Sequence, residues 1–104
     1  MGQFVKAGTT AELAGQPAGK VVEAGGGSIA VFQVGGSYYA VGNVCPHRGG
    51  PLSQGTISSC EVICPWHGAR FDLRTGAVLG PPAREGVKSY PVRVTGGDVE
   101  VDVG

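Results

Sequence analysis

Glycine clusters at positions 25–27, 35–36, 49–50 and 96–97 cut this chain into short apolar runs. Between and beside them lie QFVKA, KVVEA, SIAVFQV, SYYAV, CEVIC, YPVRV and DVEVDV. Short apolar runs bounded by turn formers read as strands, and many at regular spacing predict an all-β domain. The expected arrangement is a sandwich or barrel-like set of small antiparallel sheets. DVEVDV is the clearest run: Val99, Val101 and Val103 alternate with Asp98, Glu100 and Asp102, as in a strand with one wet face. YPVRVTGGDVEVDV predicts a hairpin turning at Gly96–Gly97. Pro91 has no N–H to donate, which places its strand at a sheet edge. Only TTAELAG (9–15) reads as helical, a turn or two capped by Thr9 or Thr10 and stopped by Gly15 and Pro17.

A chain of 104 residues predicts one domain, residues 1–104. Its core is small, and twenty glycines raise the entropic cost of ordering it. A bound metal centre would offset that cost. Eight basic and eight acidic residues balance to a net charge of zero, which argues against nucleic acid as a partner. Residues 45–94 carry six basic and three acidic side chains, whereas 95–104 carry three acids and no base. A solvated mixed surface is the favoured reading; a mildly basic face that steers an acidic partner is the sharper one. No apolar run reaches the ~20 residues needed to span a bilayer. The N-terminus lacks the apolar core of a signal peptide, and Lys6 stands where a myristoylation motif requires Ser or Thr. A cytoplasmic location is therefore expected. Three cysteines are an odd count that fits a secreted disulfide scaffold poorly.

The chemistry concentrates in two stretches, NVCPHRGGPL (43–52) and EVICPWHGARF (61–71). Cys45 and His47 share the first; Cys64 and His67 share the second. The chain has no other histidine, and sixteen residues separate His47 from Cys64. Each pair follows a strand-like run, so both sit on loops at strand ends. Two sulfurs and two nitrogens suit zinc, or an iron–sulfur cluster with mixed ligation. Incidental buried cysteines would explain one Cys but not this set. Zinc sites more often show Cys-x-x-Cys knuckles or paired histidines on a helix, and no helix is available here.

The pattern Cys45-Pro46-His47-Arg48-Gly49-Gly50, then Cys64-Pro65-Trp66-His67-Gly68, resembles the Rieske [2Fe–2S] domain. CPWHGARFDLRTG, the GPPA at 80–83 and the terminal hairpin extend the likeness over most of residues 28–104. The resemblance implies the Rieske fold, with a cluster-binding portion of two loops at about 43–83. It implies one [2Fe–2S] cluster per chain, with Cys45 and Cys64 on one iron and His47 and His67 on the other. Neutral imidazoles in place of two thiolates make the cluster less negative and easier to reduce, in the range of about −150 to +300 mV.

Respiratory members of the family carry a disulfide between the cluster loops; Gly50 and Trp66 occupy the matching positions here. They also carry Ser and Tyr hydroxyls that hydrogen-bond the cluster region; Ala69 and Phe71 match those. Losing such bonds lowers the potential, since they stabilise the more negative reduced state. The chain thus resembles the ferredoxin components of bacterial aromatic-ring-hydroxylating dioxygenases. That resemblance implies a one-electron carrier and monomer, fed by a flavin-dependent reductase and emptied by a Rieske oxygenase. A component of nitrite reductase or another oxidoreductase is the alternative, and a zinc-stabilised, non-redox binding module is the reading from another class.

An oxygenase would need a second iron on two more histidines and a carboxylate. Gly25-Gly26-Gly27-Ser28-Ile29-Ala30 matches a dinucleotide motif in letters, but it lies between strand-like runs and reads as a hairpin turn. The remaining expectations are smaller. Cys60 reads as a buried structural thiol in a strand. Trp66 either shields the cluster or meets a partner, with simple packing the alternative. Pro81 and Pro82 are expected to form a rigid cover over the sulfurs, with an ordinary Pro-Pro turn the alternative. Arg48 and Arg70, which flank the loops, read first as solvated charges and second as docking residues.

Overall fold

The structure, a computed structural model, describes residues 3–14, 19–24, 27–44, 51–66, 68–80 and 86–103. Its strands are β1 (Phe4–Thr9), β2 (Lys20–Ala24), β3 (Gly27–Val34), β4 (Ser37–Gly42), β5 (Thr56–Ser58), β6 (Glu61–Ile63), β7 (Arg70–Asp72), β8 (Val78–Gly80), β9 (Ser89–Tyr90), β10 (Val92–Thr95) and β11 (Asp98–Asp102). One helix, α1 (Thr10–Ala14), and one 3₁₀ turn (Leu52–Gln54) complete the described elements. The strands form three antiparallel sheets, ordered β1-β11-β10, β2-β3-β4-β9 and β5-β6-β7-β8. This is the expected all-β architecture.

The middle sheet has a core on each side because β3 is apolar at consecutive positions. Alternate side chains of a strand point to opposite faces. Ile29 and Val31 therefore join Ala7, Leu13, Ala40, Val99 and Val101 in one core. Ala30 and Phe32 join Val41, Leu52, Val62, Cys64, Ala69, Phe71 and Leu73 in the other. Burial on both faces replaces alternation with a continuous apolar run, which is how SIAVFQV reads. Gly19 leaves room for the Phe32 ring, which would lie 2.6 Å from a Cβ placed there.

The turns follow the residue types. Gly96 and Gly97 take φ of 56° and 91°, the conformation required in a two-residue hairpin loop, with Thr95 opposite Asp98. Thr9 Oγ1 accepts from the Glu12 N–H at 3.1 Å, and the Glu12 carboxylate accepts from the Thr9 N–H at 3.0 Å. That reciprocal pair is a capping box, and it starts α1 where the sequence placed it. Pro91 does more than mark an edge. It ends β9, which pairs with β4, and precedes β10, which pairs with β11, so the chain changes sheets there. Both strands are edges, as expected, and the Pro91 carbonyl still accepts from the Asp102 N–H at 2.9 Å.

β2 and β3 pair antiparallel, with Ala24 opposite Gly27, and β3 rather than a helix follows the glycine run. Residues 25 and 26 themselves lie outside the described residues. No helix among the described residues is long and apolar enough to cross a membrane.

Candidate metal centre

The second Cys-His stretch begins where β6 ends. Cys64 follows Ile63 directly and is 2% exposed, inside the core with Val62, Ala69, Phe71 and Leu73. Its N–H donates to the Ala69 carbonyl at 2.7 Å, which closes a tight turn over 64–69. Gly68 holds φ of +78° in that turn, a conformation that side chains with a Cβ seldom adopt. The Trp66 N–H donates to Cys64 Sγ at 3.4 Å. A backbone N–H aimed at sulfur favours the anionic thiolate over the neutral thiol.

The first stretch is approached through Asn43 and Val44, just beyond β4. The Asn43 carbonyl accepts from the Leu52 N–H at 2.7 Å, and its Oδ1 accepts from the Ser53 N–H at 2.8 Å. Val44 and Pro51 form an isolated antiparallel bridge. The two ends of the stretch that carries Cys45 and His47 are thereby brought together. Residues 45–50 and His67 lie outside the described residues, so of the expected ligands Cys64 alone is located here.

The neighbours expected to set the potential are placed. Ala69 and Phe71 are both fully buried beside Cys64 and supply no hydroxyl. Trp66 is 49% exposed rather than packed away, and Val44 and Leu79 are exposed as well. Arg70 is not simply a solvated charge. Its guanidinium pairs with Glu61 at 3.4 Å, donates to the Leu79 carbonyl at 3.3 Å and lies against Gly80. Arg48, Pro81 and Pro82 lie outside the described residues.

One expectation fails. Cys60 is in the β5–β6 turn, half-buried, with φ of +66° following Ser59 at +49°. Its carbonyl accepts from the Leu73 N–H at 3.0 Å, and this contact with the next hairpin holds the turn in place. The side chain only lies against the edge of the core.

Sequence reasoning also missed Asn43 and a glycine contact beyond β8. A Cβ on Gly76 would collide with the Val87 carbonyl, and one on Gly86 with the Gly76 carbonyl. The Val87 N–H donates to that same Gly76 carbonyl at 2.8 Å. The Gly76 N–H donates to the carbonyl of Asp72 at 2.7 Å, and the Asp72 carboxyl is held below its usual range by the side-chain hydrogen bond from Arg74.

The sequence matches the family model of the Rieske [2Fe-2S] domain over residues 3–91. The chain belongs to the Rieske [2Fe-2S] family. As a Rieske domain it implies a [2Fe–2S] cluster, and a buried cysteine receiving a backbone N–H, with one more cysteine and two histidines at the motif positions, is a donor set that fits one. It is 40% identical over 80 residues to the ferredoxin component of the p-cumate 2,3-dioxygenase system of Pseudomonas putida, covering 76% of this chain and 68% of that one. The ferredoxin of carbazole 1,9a-dioxygenase from Nocardioides aromaticivorans IC177 superimposes with a TM-score of 0.88 at 33% identity, covering 95% of this Rieske chain and 96% of that one. A chain from a complex of reduced oxygenase and oxidized ferredoxin in carbazole 1,9a-dioxygenase gives a TM-score of 0.87 at 28% identity, covering 96% and 93%.

Proposed function

We propose that this Rieske chain is a ferredoxin, a one-electron carrier between a flavin-dependent reductase and the terminal oxygenase of an aromatic-ring dioxygenase system. The observation that carries this is likeness to proteins that are themselves ferredoxins of dioxygenase systems, over 76% of this chain in sequence and 95% in structure. It acts in the cytoplasm, as a monomer of one domain spanning 1–104, with residues 43–83 forming the cluster-binding portion. It has no substrate site of its own.

Cys45 and Cys64 hold one iron of a single [2Fe–2S] cluster and His47 and His67 hold the other. When bound, such a cluster would supply one-electron redox chemistry. The protein's part is to fix and tune that site. The Trp66 N–H donates to the Cys64 sulfur, and the buried apolar side chains around Cys64 keep water from it. Ala69 and Phe71 withhold the hydroxyls that would raise the potential. Trp66 stands half-exposed one residue from His67, where it is available to a docking protein.

The test is visible absorption, electron paramagnetic resonance of the reduced protein and a midpoint titration. We expect a Rieske spectrum and a midpoint in the lower part of the range of about −150 to +300 mV. A midpoint above about +100 mV would overturn the low-potential placement. A colourless protein carrying zinc would overturn the carrier reading altogether.

A further inference from the structure

Among the described residues, the buried polar side chains are Asn43 and Ser53. Burying an amide costs stability unless its polar atoms are bonded, so an apolar residue would serve better if packing alone mattered. The Asn43 bonds show what the amide contributes. Its N–H donates to the Ser28 carbonyl of β3 at 3.0 Å, its carbonyl accepts from Leu52 at 2.7 Å, and its Oδ1 accepts from Ser53 at 2.8 Å. The Ser53 carbonyl in turn accepts from the Gly19 N–H at 2.8 Å. One residue thus ties the end of β4, the neighbouring β3 and the 3₁₀ turn together. Across the stem, the Val44–Pro51 bridge is isolated and has no ladder behind it. Ser53 is 2% exposed, so in the folded protein its N–H relies on the Asn43 oxygen.

We propose that Asn43 is a positioning residue for the cluster. Its side-chain amide fixes the separation of Val44 and Pro51, which flank the 45–50 segment, and through Val44 it acts on Cys45, the next residue in the chain. This rests on the ligand assignment proposed above. Among the described residues the amide bonds Ser53, and it acts through the stem.

The experiment uses the intact holoprotein and three variants, Asn43→Ala, Asn43→Asp and Val99→Ala. Asn43→Ala leaves the buried Ser53 N–H unpaired. Asn43→Asp keeps an acceptor oxygen. Val99→Ala truncates a fully buried side chain in the opposite core and serves as the control for general destabilisation. Cluster release to an iron chelator is followed by visible absorbance, alongside the midpoint, the g-values and thermal unfolding. Asn43→Ala should release iron about tenfold faster and shift both g-values and midpoint. Val99→Ala should unfold more easily yet keep the wild-type g-values and midpoint. The proposal is overturned if Asn43→Ala releases iron within about twofold of wild type with unchanged g-values, or if Val99→Ala accelerates release as much. Should Asn43→Ala yield no holoprotein, Asn43→Asp decides: release within about threefold of wild type supports the clasp, and release about tenfold faster overturns it. A wild-type protein without a Rieske spectrum would instead remove the ligand assignment itself.

Discussion

The two sides of the middle sheet are stabilised in different ways. On the side of β1, β10, β11 and α1, side chains meet side chains at the surface. Lys6 pairs with Asp98 at 3.4 Å, Arg93 with Glu100 at 2.6 Å and Lys20 with Glu12 at 3.2 Å, and Arg93 lies 3.9 Å over the Phe4 ring. The side of β5–β8 has exposed ion pairs too, Arg70 with Glu61 and Arg74 with Asp72, but there backbone also meets backbone at glycines. Gly55 admits no Cβ beneath the Ile63 carbonyl, and Gly76 none beneath the Val87 carbonyl. Exposed ion pairs are worth little each and tolerate change. Close backbone approach tolerates none, because moving it shifts whole segments. The division follows function: the half that holds Cys64 fixes geometry, and the other half supplies bulk and an apolar face.

The largest expected effect tests whether the geometric half depends on the cluster. Cys64→Ser removes a proposed ligand and places a hydroxyl at a site 2% exposed among apolar side chains. We expect complete loss of the visible spectrum and a lower thermal midpoint. A retained Rieske spectrum would remove Cys64 from the ligand set. Gly76→Ala comes next, since it combines a φ of +80° with a collision against the Val87 backbone. It should cost about 3 kcal/mol or more in denaturant unfolding. A cost under about 1 kcal/mol would show that the 73–77 turn and the 86–88 segment yield easily, and the contrast between the halves would weaken.

Gly68→Ala separates strain from crowding. A Cβ there meets no described residue within 4 Å, so the substitution is expected to act through the backbone, at φ +78°. About 1–2 kcal/mol is expected, clearly less than at Gly76. Because Gly68 follows His67 and lies in the turn closed by Cys64 and Ala69, the midpoint should move as well.

How much of this was legible in the sequence differs between the halves too. The strands of five or more residues, β1 to β4 and β11, announce themselves by apolar runs with glycine beside them. β5, β7 and β8 have three residues each, too few to show a period of two; β6 gives β5 and β7 a partner, and β7 in turn gives one to β8. Their side of the fold is organised by contacts distant in sequence. Cys60 illustrates this: Ser59 and Cys60 adopt left-handed conformations that neither residue type signals, and the Leu73 N–H bond to Cys60 comes from another hairpin. Asn43 is similar, since its partner Ser53 is ten residues away and no local pattern joins them. The Cys-His motif stands out in the sequence because it is chemistry at fixed spacing. The scaffold that aims it was not, since it is made of carbonyls, N–H groups and glycines, which every sequence contains.

The smallest effect probes the other half. Thr9→Ala removes the oxygen that caps the Glu12 N–H and should cost about 1 kcal/mol. Glu12→Gln adds a pH signature. The Glu12 pKa lies below its ordinary 4.5, first because the Thr9 N–H donates to its carboxylate and then because Lys20 is beside it. A carboxyl whose pKa is lower folded than unfolded stabilises the fold above the unfolded value, and the contribution disappears as pH falls through the folded value. Wild type should therefore exceed Glu12→Gln in stability at neutral pH, with the gap closing in acid below about pH 4.5 and shrinking with salt. Neither substitution should move the midpoint of the cluster, since α1 lies across the middle sheet from Cys64. A shift in potential from Thr9→Ala would mean that strain crosses β3, and the two halves would then be one mechanical unit.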